Sequence, residues 1–334
     1  MKNSTSVEKK KVENSKDIKK SLGNIFRNQW FLLLLVVILI VVFTGVKNPR
    51  FYNKDNLLNI LDQISVLGLV AAGATILIIS GNFDISVGSI IGLSACIMAI
   101  LINKGVSEIY AMMIGVLVCI LCSSLNGFLS VLFHTPSFII SLAMTGVYHG
   151  LALSITEGII QTIFGKMEGV SGARLFGILP LLFIISLSGY FLVHFILNYT
   201  QLGRRIFAVG NNPRAAFLAG INVQLNKIIF FAINGFLIGI AAILILSRLG
   251  AALPNTGAGL ELRAIGAVVI GGVPITGGMG NVLGTFLGVL LMGVISNSLN
   301  MLRVNPYLQE VFYGSLIIMA VAISSIRYRW FGAK

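Results

Sequence analysis

The stretch Ile79-Ser80-Gly81-Asn82-Phe83-Asp84-Ile85-Ser86-Val87-Gly88-Ser89 sets a carboxyl group among small polar residues between two long apolar runs. Gly81 and Gly88 relax the backbone there, while Asn82, Asp84, Ser86 and Ser89 bring polar groups to or below a membrane boundary. Asp84 is placed to cap the helix that follows, accepting from its free N–H groups at the positive end of the dipole. The same carboxyl, costly inside a membrane, can also line or gate a polar path. The two readings are compatible. A second stretch holds seven glycines between 257 and 278, including Gly271, Gly272, Gly277 and Gly278, and Gly280 closes it. No uninterrupted helix survives that density, so a loop, a short helix and a sharp turn are expected. It is not a phosphate cradle: the string Gly-x-x-x-x-Gly-Lys-Ser/Thr occurs nowhere, and the Gly165-Lys166 pair is followed by Met167. The chain cannot use ATP by that route.

Other polar residues are scattered. Asn126, Asn234, Asn297, Asn300 and His149 lie inside apolar runs. Hydrogen bonding between neighbouring helices explains such residues; the sharper reading puts some of them, with Asp84, Ser86 and Phe138, along a central polar path. Cys119 and Cys122 form a C-x-x-C, but one helical turn in lipid is a poor redox or metal site, and inert buried thiols are expected. His149 and His194 lack companion ligands. No Ser/His/Asp set or carboxylate pair suggests catalysis, so catalytic residues, metal and cofactor are all expected to be absent.

The stretch 199–226 differs in kind. It carries Arg204, Arg205 and Arg214 with no acid. Asn212 before Pro213 reads as a helix start, with a short helix from Arg214 to Ala219 ended by Gly220. A solvated surface helix would satisfy this pattern. The small side chains of Ala215 and Ala216 favour a docking helix, because they let another protein's groove come close.

These segments need elements to position them, and composition says which. Of 334 residues, 56% are hydrophobic and only 10% charged, with mean hydropathy +0.94. A soluble surface needs roughly 25% charge. Apolar runs fall near 30–46, 57–80, 85–102, 109–133, 137–160, 177–198, 227–249, 262–275, 281–300 and 308–326. The expected fold is an all-α integral membrane protein with about ten transmembrane helices and broken or re-entrant Gly-rich segments. Its transmembrane domain covers 30–326. Eight crossings also fit if two runs are re-entrant. The net charge of +13 is placed by topology and does not imply nucleic acid: eight Lys or Arg stand in the first 29 residues. That basic tail (1–29), the loop 199–226 and the end 327–334 are expected in the cytoplasm, N-in and C-in. The run from Trp30 to Val46 lacks a convincing cleavage site and reads as a retained helix. A weak internal repeat lays Gly81–Gly88 over Gly271–Gly278, as in transporters built from halves with matching broken helices, although chance similarity among Gly-rich segments gives the same pattern.

Together these strings resemble a known family, the ribose-type permease subunits of bacterial ABC sugar importers. The resemblance is carried by Asp84-Ile85-Ser86-Val87-Gly88-Ser89, and by Asn126-Gly127 followed by Pro136-Ser137-Phe138-Ile139. It continues through Asn211-Asn212-Pro213-Arg214-Ala215-Ala216 with Gly220-Ile221-Asn222-Val223, and through Glu261-Leu262 on to Gly277-Gly278-Met279-Gly280. It runs in order from about residue 50 to the end. The family implies a multi-pass protein of the inner membrane, in contact with lipid, that pairs with a second permease as a homodimer or heterodimer. Two cytoplasmic ABC ATPases would dock around Pro213, Arg214, Ala215, Ala216, Gly220 and Ile221, and an extracytoplasmic binding protein would deliver a monosaccharide or similar solute. A nucleoside or autoinducer permease of the same superfamily and an ion-coupled secondary transporter are the alternatives. Arg263 stands where the family usually has an acid, and His149 where an Arg usually precedes Gly-Leu-Ala.

Overall fold

The computed structural model describes residues 29–175 and 177–331. The tail read over 1–29 therefore lies outside the described residues but for Gln29, as do residues 332–334 of the C-terminal segment. The described chain is mostly helical. In order, α1 (Gln29–Lys47), a 3₁₀ turn (Pro49–Tyr52), α2 (Lys54–Ile79), α3 (Val87–Asn103), α4 (Glu108–Leu132) and α5 (Ser137–Thr156) are followed by a long connection over 157–180 that holds a single helical turn (Glu168–Ser171). Then come α6 (Leu181–Tyr199), α7 (Gln201–Asn211), α8 (Pro213–Leu218), α9 (Val223–Leu249), α10 (Leu260–Ile270), α11 (Val282–Met301) and α12 (Pro306–Phe331).

Each apolar run becomes a helix, but the helices are unequal. Seven are long and apolar enough to cross a membrane: α1, α2, α4, α5, α6, α9 and α11. Helix α3 and the apolar part of α12 are shorter. Helix α10 has 11 residues, or about 16 Å at 1.5 Å per residue, roughly half of a hydrocarbon core about 30 Å thick. As helix, the Gly-rich run is therefore too short to cross a membrane, and it continues into a turn.

Helix α2 is the axis of the molecule. Its most apolar stretch is 89% buried, against 17% for α1 and α5. Helices α6, α9, α10 and α11 pack around it. Since lipid is as apolar as leucine, close backbone approach has to hold such helices together. Gly235 and Gly239 supply it between α9 and α4: a Cβ at Gly235 would stand 2.6 Å from the Cys119 carbonyl oxygen, and one at Gly239 would stand 2.9 Å from Val116 Cα. Thr75 and Thr285 hydroxyls add a 2.9 Å bond between α2 and α11.

Cross-links sort the helix ends onto two sides. On one side Asn48 donates to the Met301 carbonyl at 3.1 Å. Lys166 reaches the Ile102 carbonyl there at 3.1 Å, and the pair β1 (Gln161–Thr162) with the later strand Ala251–Ala252 (β4) closes it. A second antiparallel pair, β2 (Arg174–Leu175) with β3 (Leu179–Pro180), lies in the same connection. On the other side the ends of α2, α7 and α10 meet.

Candidate translocation and coupling site

The chain between α2 and α3 is held by side chains from three other helices. Gly81 takes a left-handed backbone, φ +75°. Ser137 and Ser141, one turn apart on α5, accept from the Phe83 and Ile85 N–H groups at 3.1 and 3.0 Å. Ser137 in turn donates to Asn82 Oδ1 at 3.3 Å.

Asp84 is buried and fully engaged. Its Oδ1 accepts from the Ser86 N–H at 3.0 Å, Ser86 Oγ at 2.6 Å and Asn126 Nδ2 at 3.2 Å. Its Oδ2 accepts from Ser123 Oγ at 3.2 Å and Asn234 Nδ2 at 3.3 Å. Asn126 also donates to Ser86 Oγ at 2.7 Å and accepts from Tyr148 OH at 2.9 Å. One carboxyl thus ties the start of α3 to α4 and α9, and Tyr148 extends the network to α5. This corrects the capping expectation. Ser86, not Asp84, occupies the N-cap, and its hydroxyl makes no cap bond because it is spent on the carboxylate. Asp84 closes the turn one step earlier.

The second break lies between α10 and α11. Gly272, Gly277, Gly278 and Gly280 all have positive φ there, and the Asn281 side chain caps α11 through the Leu283 N–H at 2.9 Å. The two breaks touch: the Gly278 N–H donates to the Ile79 carbonyl at 2.8 Å. Gly88 and Gly271 act differently from the other four hinge glycines. Neither has positive φ. Gly88 packs on Gly257 and the Glu261 carboxylate, and Gly271 on the Gly284–Thr285 backbone, where no side chain fits.

Helix α7 joins both breaks to the short helix α8. It starts at Thr200, which caps it through the Gly203 N–H at 3.2 Å, and it buries Gly203, Ile206 and Val209 at helical spacing. At its end Asn211 Nδ2 donates to the Gly278 carbonyl at 2.8 Å. Gly210 lies flat against the Ile79 carbonyl. Asn212 then caps α8, accepting from the Ala215 N–H at 3.0 Å, with Pro213 in the first turn as its residue types require. Within this segment Ala216 is buried and Ile221 half-buried. Pro213, Arg214, Ala215 and Gly220 are exposed, and Phe217 and Leu218 present apolar surface, 69% and 84% exposed. On the same side Lys227 donates to Ser130 Oγ at 2.6 Å, tying α9 to the last turn of α4.

Of the expected path residues, Asp84, Ser86 and Asn126 come together, and Phe138 follows Ser137 on the exposed face of α5. Asn297 and Asn300 stand elsewhere. Asn297 forms a reciprocal amide pair with Asn56 of α2 at 3.0 and 2.8 Å, and Asn300 accepts from Gln309 at 2.9 Å. Both join helices near the opposite side. Ser123, Tyr148, Ser137 and Ser141 were not singled out by sequence. Their signals were the i, i+3 spacing of Ser123 with Asn126 and the i, i+4 spacing of the two serines on α5. Arg263, the residue out of pattern, pairs with Glu310 at 2.5 Å and lies 4.4 Å above the Tyr313 ring.

A family profile for the branched-chain amino acid transport system permease component matches residues 56–321. The chain belongs to this family and is a ribose-type permease. It is similar to the ribose import permease protein RbsC of Bacillus subtilis, 36% identical over 291 residues, covering 86% of this chain and 90% of that one. It is also similar to two Escherichia coli (strain K12) proteins. The D-allose transport system permease protein AlsC is 33% identical, covering 90% of this chain and 93% of that one. The galactose/methyl galactoside import permease protein MglC is 33% identical, covering 89% and 94%. No solved structure matches. The family and the apolar helices make the chain a multi-pass protein of the bacterial inner membrane and a transporter component, not an enzyme.

Proposed function

We propose that this chain is the permease subunit of an ABC importer that carries a monosaccharide or a similar polyhydroxylated solute. The sugar reading is supported by relatives named for ribose, D-allose and galactose. It works beside a second permease subunit, takes its solute from an extracytoplasmic binding protein, and is powered by separate cytoplasmic ATPases, since no P-loop string occurs in the sequence. Ten helices run N-in and C-in, with α3 and α10 as the two broken members.

The single observation that carries the reading is the junction of Ile79, Asn211 and Gly278. It joins the segment preceding α8 to both broken stretches through two 2.8 Å hydrogen bonds. The ATPases dock on α8, where Phe217 and Leu218 give apolar contact and Arg214 a charge. When ATP draws the two motor subunits together, α8 moves, and α7 delivers that displacement to the turns at 79–81 and 277–280. The Asp84 network makes the start of α3 move with α4, α5 and α9. The path forms between two permeases along the outer face of α5, beside Phe138. A Cβ at Gly146 or Gly150 would meet nothing within 4 Å there. Asp84, Ser86 and Asn126 hold that wall in place from behind, and weak solute binding along it lets the sugar pass.

The test is reconstitution in liposomes with an ABC ATPase and a solute-binding protein of a ribose-type importer from the same organism. ATP-dependent uptake of labelled ribose, allose or galactose is expected only from the full assembly. ATP-independent uptake by the chain alone would overturn the reading.

A further inference from the structure

Helices α1, α11 and α12 form an open apolar slot of about 520 Å³, lined by none of the residues of the Asp84 network. Phe43, Leu299, Phe312 and Met319 line it, and so do three hydroxyl residues, Thr44, Ser298 and Ser315, the last donating to the Val311 carbonyl at 2.7 Å. Thr44 is 0% and Ser298 4% exposed, yet neither Thr44 Oγ1 nor Ser298 Oγ has a hydrogen-bond partner. Buried hydroxyls without partners are rare enough that each asks for an explanation. At the same end stand two exposed cations. Lys47 lies one helical turn beyond Thr44, and Arg303 follows Leu302 of the slot wall. The bond from Asn48 to the Met301 carbonyl at 3.1 Å holds these two ends together. Neither cation forms an ion pair among the described residues.

We propose that this slot is a binding site for one anionic phospholipid. One acyl chain fills the apolar length. The ester carbonyls accept from Thr44 and Ser298, which no purely apolar occupant can satisfy. The phosphate sits between Lys47 and Arg303, where basic side chains at a bilayer surface attract anionic headgroups. A helix from another protein fits this chemistry less well, because its own carbonyls are consumed within the helix. A sugar fits worse still, since the walls offer it almost no polar partners. The site does not depend on which solute the chain transports.

The full-length protein, purified in mild detergent, is titrated by native mass spectrometry with phosphatidylglycerol and phosphatidylcholine of matched chains. Wild type is expected to retain phosphatidylglycerol more tightly by about thirtyfold, the factor for two basic side chains at about 1 kcal/mol each. Lys47→Gln with Arg303→Gln should bring that ratio close to one while both lipids still bind. Ser315→Trp, which fills the slot from its exposed rim, should remove both adducts. These three changes lie at exposed positions, so a monodisperse protein is expected in each case. Equal retention of the two lipids by wild type would overturn the proposal. So would adducts unmoved by Ser315→Trp, or disulfide cross-linking between copies through a cysteine placed at Met319.

Discussion

Asn211 at the end of α7 donates its side-chain amide to the Gly278 carbonyl at 2.8 Å, across 67 residues of sequence. The Gly278 N–H is given to Ile79 at 2.8 Å, so one glycine residue stands between the segment preceding α8 and the axial helix. A residue held on both of its flanking peptides transmits displacement in either direction.

The first prediction concerns that bond. Asn211→Leu removes two hydrogen bonds, to the Phe207 and Gly278 carbonyls at 2.9 and 2.8 Å, a net loss of about 2 kcal/mol, so folding and insertion should survive. Transport should not. Uptake by the reconstituted assembly is expected to fall at least tenfold while ATP hydrolysis continues. Parallel loss of both activities would mean that the bond serves assembly instead of transmission.

Asp84 should behave in the opposite way, as a stability residue. Asp84→Ala strands Asn126, Ser123 and Asn234 donors in the interior, and a buried unsatisfied group costs about 1–3 kcal/mol. A large drop in melting temperature in detergent is expected. Asp84→Asn should be milder but still destabilising, because its NH₂ would face donors. A melting temperature unchanged by Asp84→Ala would remove the network from the account.

Two left-handed glycines separate conformational strain from crowding. Gly105 has φ +86° with open space around it, and Gly278 has φ +79° with Asn211 Oδ1 2.7 Å from where a Cβ would stand. Gly105→Ala is expected to cost about 1 kcal/mol. Gly278→Ala should cost more and should also depress uptake, by pushing Asn211 off its carbonyl. Equal effects of the two changes on uptake would argue against the junction.

The pair between Arg263 and Glu310 is the conspicuous charge contact, yet Glu310 is 65% exposed. Exposed pairs give about 0–1 kcal/mol. Glu310→Gln is therefore expected to leave the melting temperature within a degree or two and uptake intact. A severe loss of uptake would instead assign Arg263, the residue out of family pattern, a part in transport.

Arg214→Glu reverses an exposed charge on α8 without touching the interior. Insertion and monodispersity should be unaffected, while co-purification with the ATPase and uptake should both be lost. Intact co-purification would move the docking surface elsewhere.

Much of the architecture was legible because bilayer solvation demands long apolar runs. The run read at 57–80 became Lys54–Ile79, and the one at 281–300 became Val282–Met301. Helix α7 was hidden because its apolar stripe, Ile206 and Val209 beside Gly203, is short and interrupted by Arg204 and Arg205. The two-residue strand pairs carry no periodicity at all. At the site, glycine density marked both breaks, and Asp84 stood out as a carboxyl among apolar residues. Among its partners Asn126 and Asn234 showed as polar residues in apolar runs, but Ser123 and Tyr148 did not. Only the packing of α4, α5 and α9 brings Ser123 and Asn234 to the carboxylate, and Tyr148 to it through Asn126. Asn297 and Asn300 looked equivalent to Asn126 in sequence, because a single asparagine in an apolar run carries no sign of which neighbour it will meet.

The antiparallel contact of Gln161–Thr162 with Ala251–Ala252 has a mechanical meaning. It ties the far end of α5 to the strap entering α10, on the side away from α8. A helix anchored at one end can tilt but cannot slide. Helix α5 has 20 residues and is about 30 Å long, so a tilt of about 10° about that anchor would carry its other end through about 5 Å. That is the order of one hexose ring. The short strand pair would then serve as a fulcrum, opening the inner end wide while the outer end stays still.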